Sequence, residues 1–141
     1  MFSIVDIENV VFSRVATALR ASFDGVFVAG EYTETPSKFP AVTLTESSNT
    51  VIANRRTAQS IENGAAVLYE VNVYSNKTKG KKSEAKEIMA LIDEQMASMG
   101  FTRTLLNPIP NVIDATIYRI VARYTAAVLP EGNDTYRVYA N

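Results

Sequence analysis

The sequence predicts a single α+β domain, a mainly antiparallel β-sheet with two helices packed on one face, in the order α-β-β-β-α-β-β. Three observations carry that prediction. From Ala66 the apolar residues recur with a period of two, residues 83–99 repeat them at helical spacing, and Gly, Pro and Asn dipeptides punctuate the segments between runs. A chain of 141 residues lies within the usual size of one domain, so residues 1–141 read as one unit without an internal repeat.

The first helix is expected from Ile4, Ile7, Val11, Val15 and Ala18, with Ser3 as N-cap and Asp6 and Glu8 near the first turn, where the helix dipole favours acids. Asp24-Gly25 ends it. Val5, Val10 and Phe12 fall off that stripe, so the apolar face is wider than one sheet contact needs; the helix is either buried on two sides or meets a partner, with Phe12 at that surface. A short strand follows at 26–29, and Phe39-Pro40 opens another at 41–46, which residues 51–53 either continue or succeed. The polar stretch 54–64 contains Arg55-Arg56 and the turn dipeptide Asn63-Gly64, and reads as a projecting arm or long loop.

In the next strand Val67, Tyr69, Val71 and Val73 share one face and Leu68, Glu70, Asn72 and Tyr74 the other. Helix 2 is expected to start near Ser83, because Ser caps a helix well and lysines suit its N-terminus poorly. Ile88, Leu91, Ile92, Met96 and Met99 form its buried stripe, and Gly100 as a left-handed cap lets Phe101 pack on Met96. Asn107-Pro108-Ile109-Pro110-Asn111 is extended or turned. The run 112–128 is longer than an ordinary strand, so it must bend, bulge or extend past the domain. Along it Tyr118, Ile120, Ala122 and Tyr124 alternate with Ile117, Arg119, Val121 and Arg123, and a turn at 130–134 leads to a last strand at 136–139.

Composition narrows the chemistry. With no cysteine and no histidine, disulfides, thiolate nucleophiles, the usual neutral-pH base and nearly all zinc sites drop out. A net charge of −1 argues against a general polyanion binder. Acids among the first eight residues argue against a signal peptide, and no apolar run approaches the roughly 20 residues of a membrane helix, so a soluble, cytoplasmically made protein without membrane partners is expected. Catalysis would have to rest on carboxylates, with Glu70 and Asp114 in predicted strands as a magnesium pair; no acidic doublet lies near them, and the expectation is no enzyme, no catalytic residue, no cofactor and no metal.

Two basic groups remain. Lys77, Lys79, Lys81 and Lys82 surround a single glycine, Gly80, which is too few for a phosphate-binding loop. They read first as a solvated loop, with backbone phosphate contact as the alternative. Arg119 and Arg123 lie four residues apart on one strand face; with Arg55 and Arg56 they either meet a neighbouring subunit or a lumen, or serve as exposed charges that discourage edge pairing.

The ordered set FPAVTLTESSN (39–49), YEVNVYSN (69–76), KGKKSEAKEIM (79–89), MGFTRT (99–104) and NPIPNVIDATIYRIVARYTAAV (107–128) resembles the tail terminator, or tail completion, proteins of long non-contractile-tailed bacteriophages, often labelled minor capsid or tail component proteins. The likeness covers most of the chain after residue 38; its motifs are strand and helix signatures whose specificity lies in their combination. It implies a structural virion protein, assembled in the bacterial host cytoplasm and placed at the head-proximal end of the tail. There a homo-oligomer, a hexameric ring, caps the tail tube, stops its polymerisation and offers the head connector a joining surface. Its partners would be the major tail tube protein and a neck protein, with DNA only as passing cargo in the lumen. The resemblance transfers no functional side chain by position. A ring built from head-to-tail contacts needs two different surfaces, which the wide face of helix 1, the arm and the overlong strand would supply. Another neck protein, a head-completion or stopper subunit, and a small nucleic-acid-binding module are the competing expectations.

Overall fold

The computed structural model describes residues 4–33, 35–52, 64–110, 114–130 and 136–140. Its elements are α1 (Glu8–Ser22), β1 (Phe27–Ala29), β2 (Ala41–Val51), β3 (Ala65–Ser75), α2 (Lys81–Ser98), β4 (Thr102–Pro110), β5 (Tyr118–Pro130) and β6 (Tyr136–Ala140). The α+β class and the mainly antiparallel sheet are as the sequence predicts. The proline segment before β5 forms a strand of its own, β4, and brings the sheet to six strands in the order β1-β2-β3-β5-β4, with β6 also on β5. One pairing departs from the antiparallel pattern: β1 runs parallel to β2, Phe27 opposite Ala41. Among the described residues no helix is long and apolar enough to cross a membrane.

Both helices cover the same face. One apolar cluster joins Val11, Val15 and Leu19 of α1 and Ile88, Ile92 and Met96 of α2 to Val42, Leu44, Val71, Val73, Ile120 and Ala122 of the sheet. Burying such side chains is worth roughly 1.5–3 kcal/mol each, and this layer is the main stabilising element. The strand alternations of β3 and β5 fall as predicted, with Val67, Tyr69, Ala122 and Tyr124 facing the helices.

The start of α1 differs from expectation. Ile4 is 71% exposed and Val10 66%, whereas Val5 is 1% exposed. Residues 4–7 precede the helix, so helical spacing does not govern them; Val5 and Ile7, two apart, turn inward instead. Ser3 lies outside the described residues. The Glu8 amide donates to Asp6 Oδ1 (3.0 Å), so Asp6 satisfies a donor at the helix start.

The beginning of α2 also shifts. Gly80, at φ 84°, takes the N-cap position in place of Ser83, and the Glu84 amide donates to its carbonyl at 2.9 Å. A left-handed glycine reverses the chain early enough for Lys81 and Lys82 to enter the first turn. Glu84 offsets them at the positive helix end and accepts from Ser75 Oγ at 2.7 Å. The other end follows prediction. Gly100 (φ 96°) and Phe101 donate to Ala97 and Met96 carbonyls, both at 3.0 Å, and Phe101 packs with Met96 in the core.

The length of β5 is accommodated by a division of its edge. Residues 118–125 pair with β4 and residues 126–130 with β6, while the other edge runs along β3. The strand begins later than predicted: Asp114 lies in a turn, where its Oδ1 accepts from the Thr116 amide (2.9 Å) and hydroxyl (2.6 Å). Those bonds, chiefly the hydroxyl's, hold its carboxyl below the ordinary value.

Candidate interface on the helix-free face

The face of the sheet turned away from the helices carries a polar row across β3 and β5. Arg119 Nε donates to Asn72 Oδ1 (2.9 Å), Asn72 Nδ2 to Glu70 Oε1 (3.2 Å), and Arg123 Nε to Glu70 Oε2 (3.2 Å). Antiparallel register explains the row, since Glu70 lies opposite Arg123, Asn72 opposite Val121 and Tyr74 opposite Arg119. Cross-strand neighbours on one face are close enough for long side chains to meet. Asn72 is 1% exposed, so its amide must be bonded on both sides, and the two bonds it makes do that.

Arg119 is held twice over. Its guanidinium carbon lies 5.3 Å from the Tyr32 ring centre and 5.5 Å from that of Tyr74, within the range in which a cation is attracted to an aromatic face. The Tyr74 hydroxyl donates to the Thr33 carbonyl (2.6 Å), which ties the segment between β1 and β2 over this end of the face. Arg123 is looser, its side chain 49% exposed beside Glu70 at 22%. Both arginines bond through Nε, so the forked ends of the guanidinium groups lie outside these bonds.

The predicted site residues do not converge. Arg119 and Arg123 share the helix-free face. Phe12 belongs to the helix layer, half-buried with its ring facing Gly30, where a Cβ would lie 3.8 Å from it. Lys77, Lys79 and Lys82 are exposed and Lys81 half-buried, at the end of the sheet where β3 finishes. Among the described residues none of the four enters a salt bridge. Arg55 and Arg56 lie outside the described residues, as does most of the arm; its flanks meet at Ile52, whose amide donates to the Gly64 carbonyl at 3.1 Å. That junction is at the opposite end of β3 from the lysines, roughly 33 Å away along an 11-residue strand.

The magnesium-pair reading of Glu70 and Asp114 has no geometric support. Glu70 is engaged by Arg123 and Asn72, and Ser75, opposite Tyr118, is already roughly 16 Å further along β3 before the Asp114 turn begins. Sequence reasoning did not identify Asn72, Glu70 and Tyr32 as partners of the arginines. The alternation placing Glu70 and Asn72 on one face was visible, but their pairing with Arg123 and Arg119 depends on register. A scan against protein-family models and a search of curated proteins returned no match.

Proposed function

We propose that the chain is a structural ring subunit that caps the tail tube of a long-tailed phage, stops its growth and offers the head connector a joining surface. The observation that supports this most is the helix-free face. Its arginines are preset by Asn72, Glu70 and two tyrosines through bonds at Nε, which leave the terminal nitrogens of each guanidinium outside those bonds. Preset side chains lose less rotamer freedom on association, which favours a repeated, stereotyped contact. A strand as long as β5, holding β4 and β6 on one edge, stiffens the face that carries them. The ordered likeness of residues 39–128 to tail terminator proteins points the same way. The ring partners are further copies of the chain, with the tube protein on one side and the neck on the other.

Electron microscopy of particles lacking the protein tests the reading. Overlong or unjoined tails are expected; DNA-leaking heads beside normal free tails would instead indicate a head-completion subunit. Simultaneous alanine substitution of Arg55, Arg56, Arg119 and Arg123 should impair ring formation or head joining. Normal rings, tail length and joining in that variant would remove these residues from the interface.

A further inference from the structure

Among the described residues, a group of three acids lies away from the arginine row. Asp6 precedes α1, Glu8 begins it, and Glu46 lies on β2 beside a register shift; one carboxylate oxygen of each falls within 4.8 Å of the others. Each carboxylate is held by an N–H: Asp6 Oδ1 by the Glu8 amide, Glu8 Oε2 by the Glu46 amide at 3.2 Å, and Glu46 Oε1 by Asn49 Nδ2 at 3.1 Å. Asn49 Nδ2 also donates to the Val5 carbonyl at 2.7 Å, which ties the segment before α1 to β2. The acids are thus drawn together by the fold despite their mutual repulsion.

A second observation comes from β3, the strand paired with Glu46. Tyr69 is fully buried, and its hydroxyl has no hydrogen-bond partner. It lies opposite Glu46 in the β2–β3 register, and the charges that act on it are those of Glu46, Glu8 and Asp6. A buried hydroxyl without a partner is uncommon in a folded core and directs attention to what it faces.

We propose that Asp6, Glu8 and Glu46 hold a hard divalent cation, calcium in preference to magnesium, with the Tyr69 hydroxyl hydrogen-bonding to the cation's water shell. An all-carboxylate set selects a hard cation over zinc or copper. Three carboxylates from the protein suit calcium, which takes several such oxygens in a flexible geometry, better than magnesium, which keeps most of its waters and is usually held by one or two carboxylates. Bound there, the ion fastens the start of α1 to β2 and converts repulsion among three acids into a shared attraction.

The test combines calorimetry with tyrosine-sensitised terbium emission, a clean signal in a chain without tryptophan. The intact protein should bind calcium and melt at a higher temperature as calcium rises. Asp6→Asn and Glu8→Gln should each weaken calcium binding by about tenfold or more, by loss of a charged ligand. Without calcium their melting temperatures should equal or exceed that of the native chain, because a repulsive charge is gone. Tyr69→Phe should keep most of the calcium affinity while losing much of the terbium emission. Absence of binding at millimolar calcium, or unchanged affinity in both carboxamide variants, would overturn the proposal. If Glu8→Gln does not fold, Asp6→Asn, at an exposed position, decides the matter alone.

Discussion

On one face of the sheet Tyr69, Val71 and Val73 of β3 and Ile120 and Ala122 of β5 lie sealed beneath two helices; on the other, Glu70, Asn72, Arg119 and Arg123 of the same strands form a row of polar bonds. The covered face is held by burial, which has no directional requirement and tolerates only matched volume. The polar row on the other face is held by directed bonds, each modest in net energy. Apolar burial and directed polar bonds are therefore carried by alternate residues of the same strands, and substitutions should separate the two.

The largest effect belongs on the covered face. Ile92 is fully buried where α2 meets the sheet, so Ile92→Ala should cost about 2–5 kcal/mol in urea unfolding, from lost transfer energy plus a cavity. A loss under about 1 kcal/mol would show that the helices are not the main stabilising layer. Gly100→Ala comes next. A Cβ at Gly100 would lie 2.8 Å from the Val138 carbonyl oxygen, and the φ of 96° is itself unfavourable for alanine, so a loss of about 1–3 kcal/mol is expected in the same measurement.

That glycine also shows what the sequence made legible. Met99-Gly100-Phe101 signals a helix end through local backbone chemistry alone, and the alternation in β3 and β5 assigns their faces, because neither depends on distant residues. At the start of α2, Ser83 is the better cap by side chain, whereas the left-handed turn at Gly80 decides the boundary. Ile4 fits a helical stripe yet lies in a segment before α1 that no local signal marked. Of the candidate site, the face of Arg119 and Arg123 was legible; their partners were not, because register between residues 47 and 53 positions apart is a long-range property. The acidic group of Asp6, Glu8 and Glu46 depends likewise on a contact 38 positions apart.

Alkaline titration tests the covered face without mutation. Burial, then the nearby Glu46, Glu8 and Asp6, raises the Tyr69 phenol above its ordinary value of 10.0. Burial, then the bond to Asp93, raises Tyr124 likewise. A phenol kept neutral only in the folded state stabilises fully below pH 10, and that stability is lost as pH rises toward the folded value, since the unfolded chain releases the proton first. Each tyrosine should cost about 1.4 kcal/mol per pH unit above 10, and Tyr124→Phe should make the decline shallower. An unchanged slope in that variant would place the titration elsewhere.

The polar row should respond less. Asn72→Ala leaves Arg119 and Glu70 each without one bond, but both groups keep a second contact, through the tyrosine rings and Arg123 respectively, so about 1 kcal/mol is expected. A loss as large as that of Ile92→Ala would mean that the row supports the fold rather than a contact.

The smallest effect on the isolated subunit should come from Arg123→Ala, and it is the sharpest test of the division between the faces. Its pair with Glu70 is half exposed, so attraction is screened by solvent and salt and is offset by the entropy of holding a long side chain. Subunit stability should fall by less than about 1 kcal/mol, and added salt should remove the difference. If Arg123 serves a contact between copies, ring formation should weaken in the same variant and a charge-retaining Arg123→Lys should restore it only in part, because an ammonium lacks the guanidinium fork. Mass measured at assembly conditions reads that outcome directly. A variant with unaltered assembly and a markedly less stable subunit would reverse the assignment, making the helix-free face a structural surface.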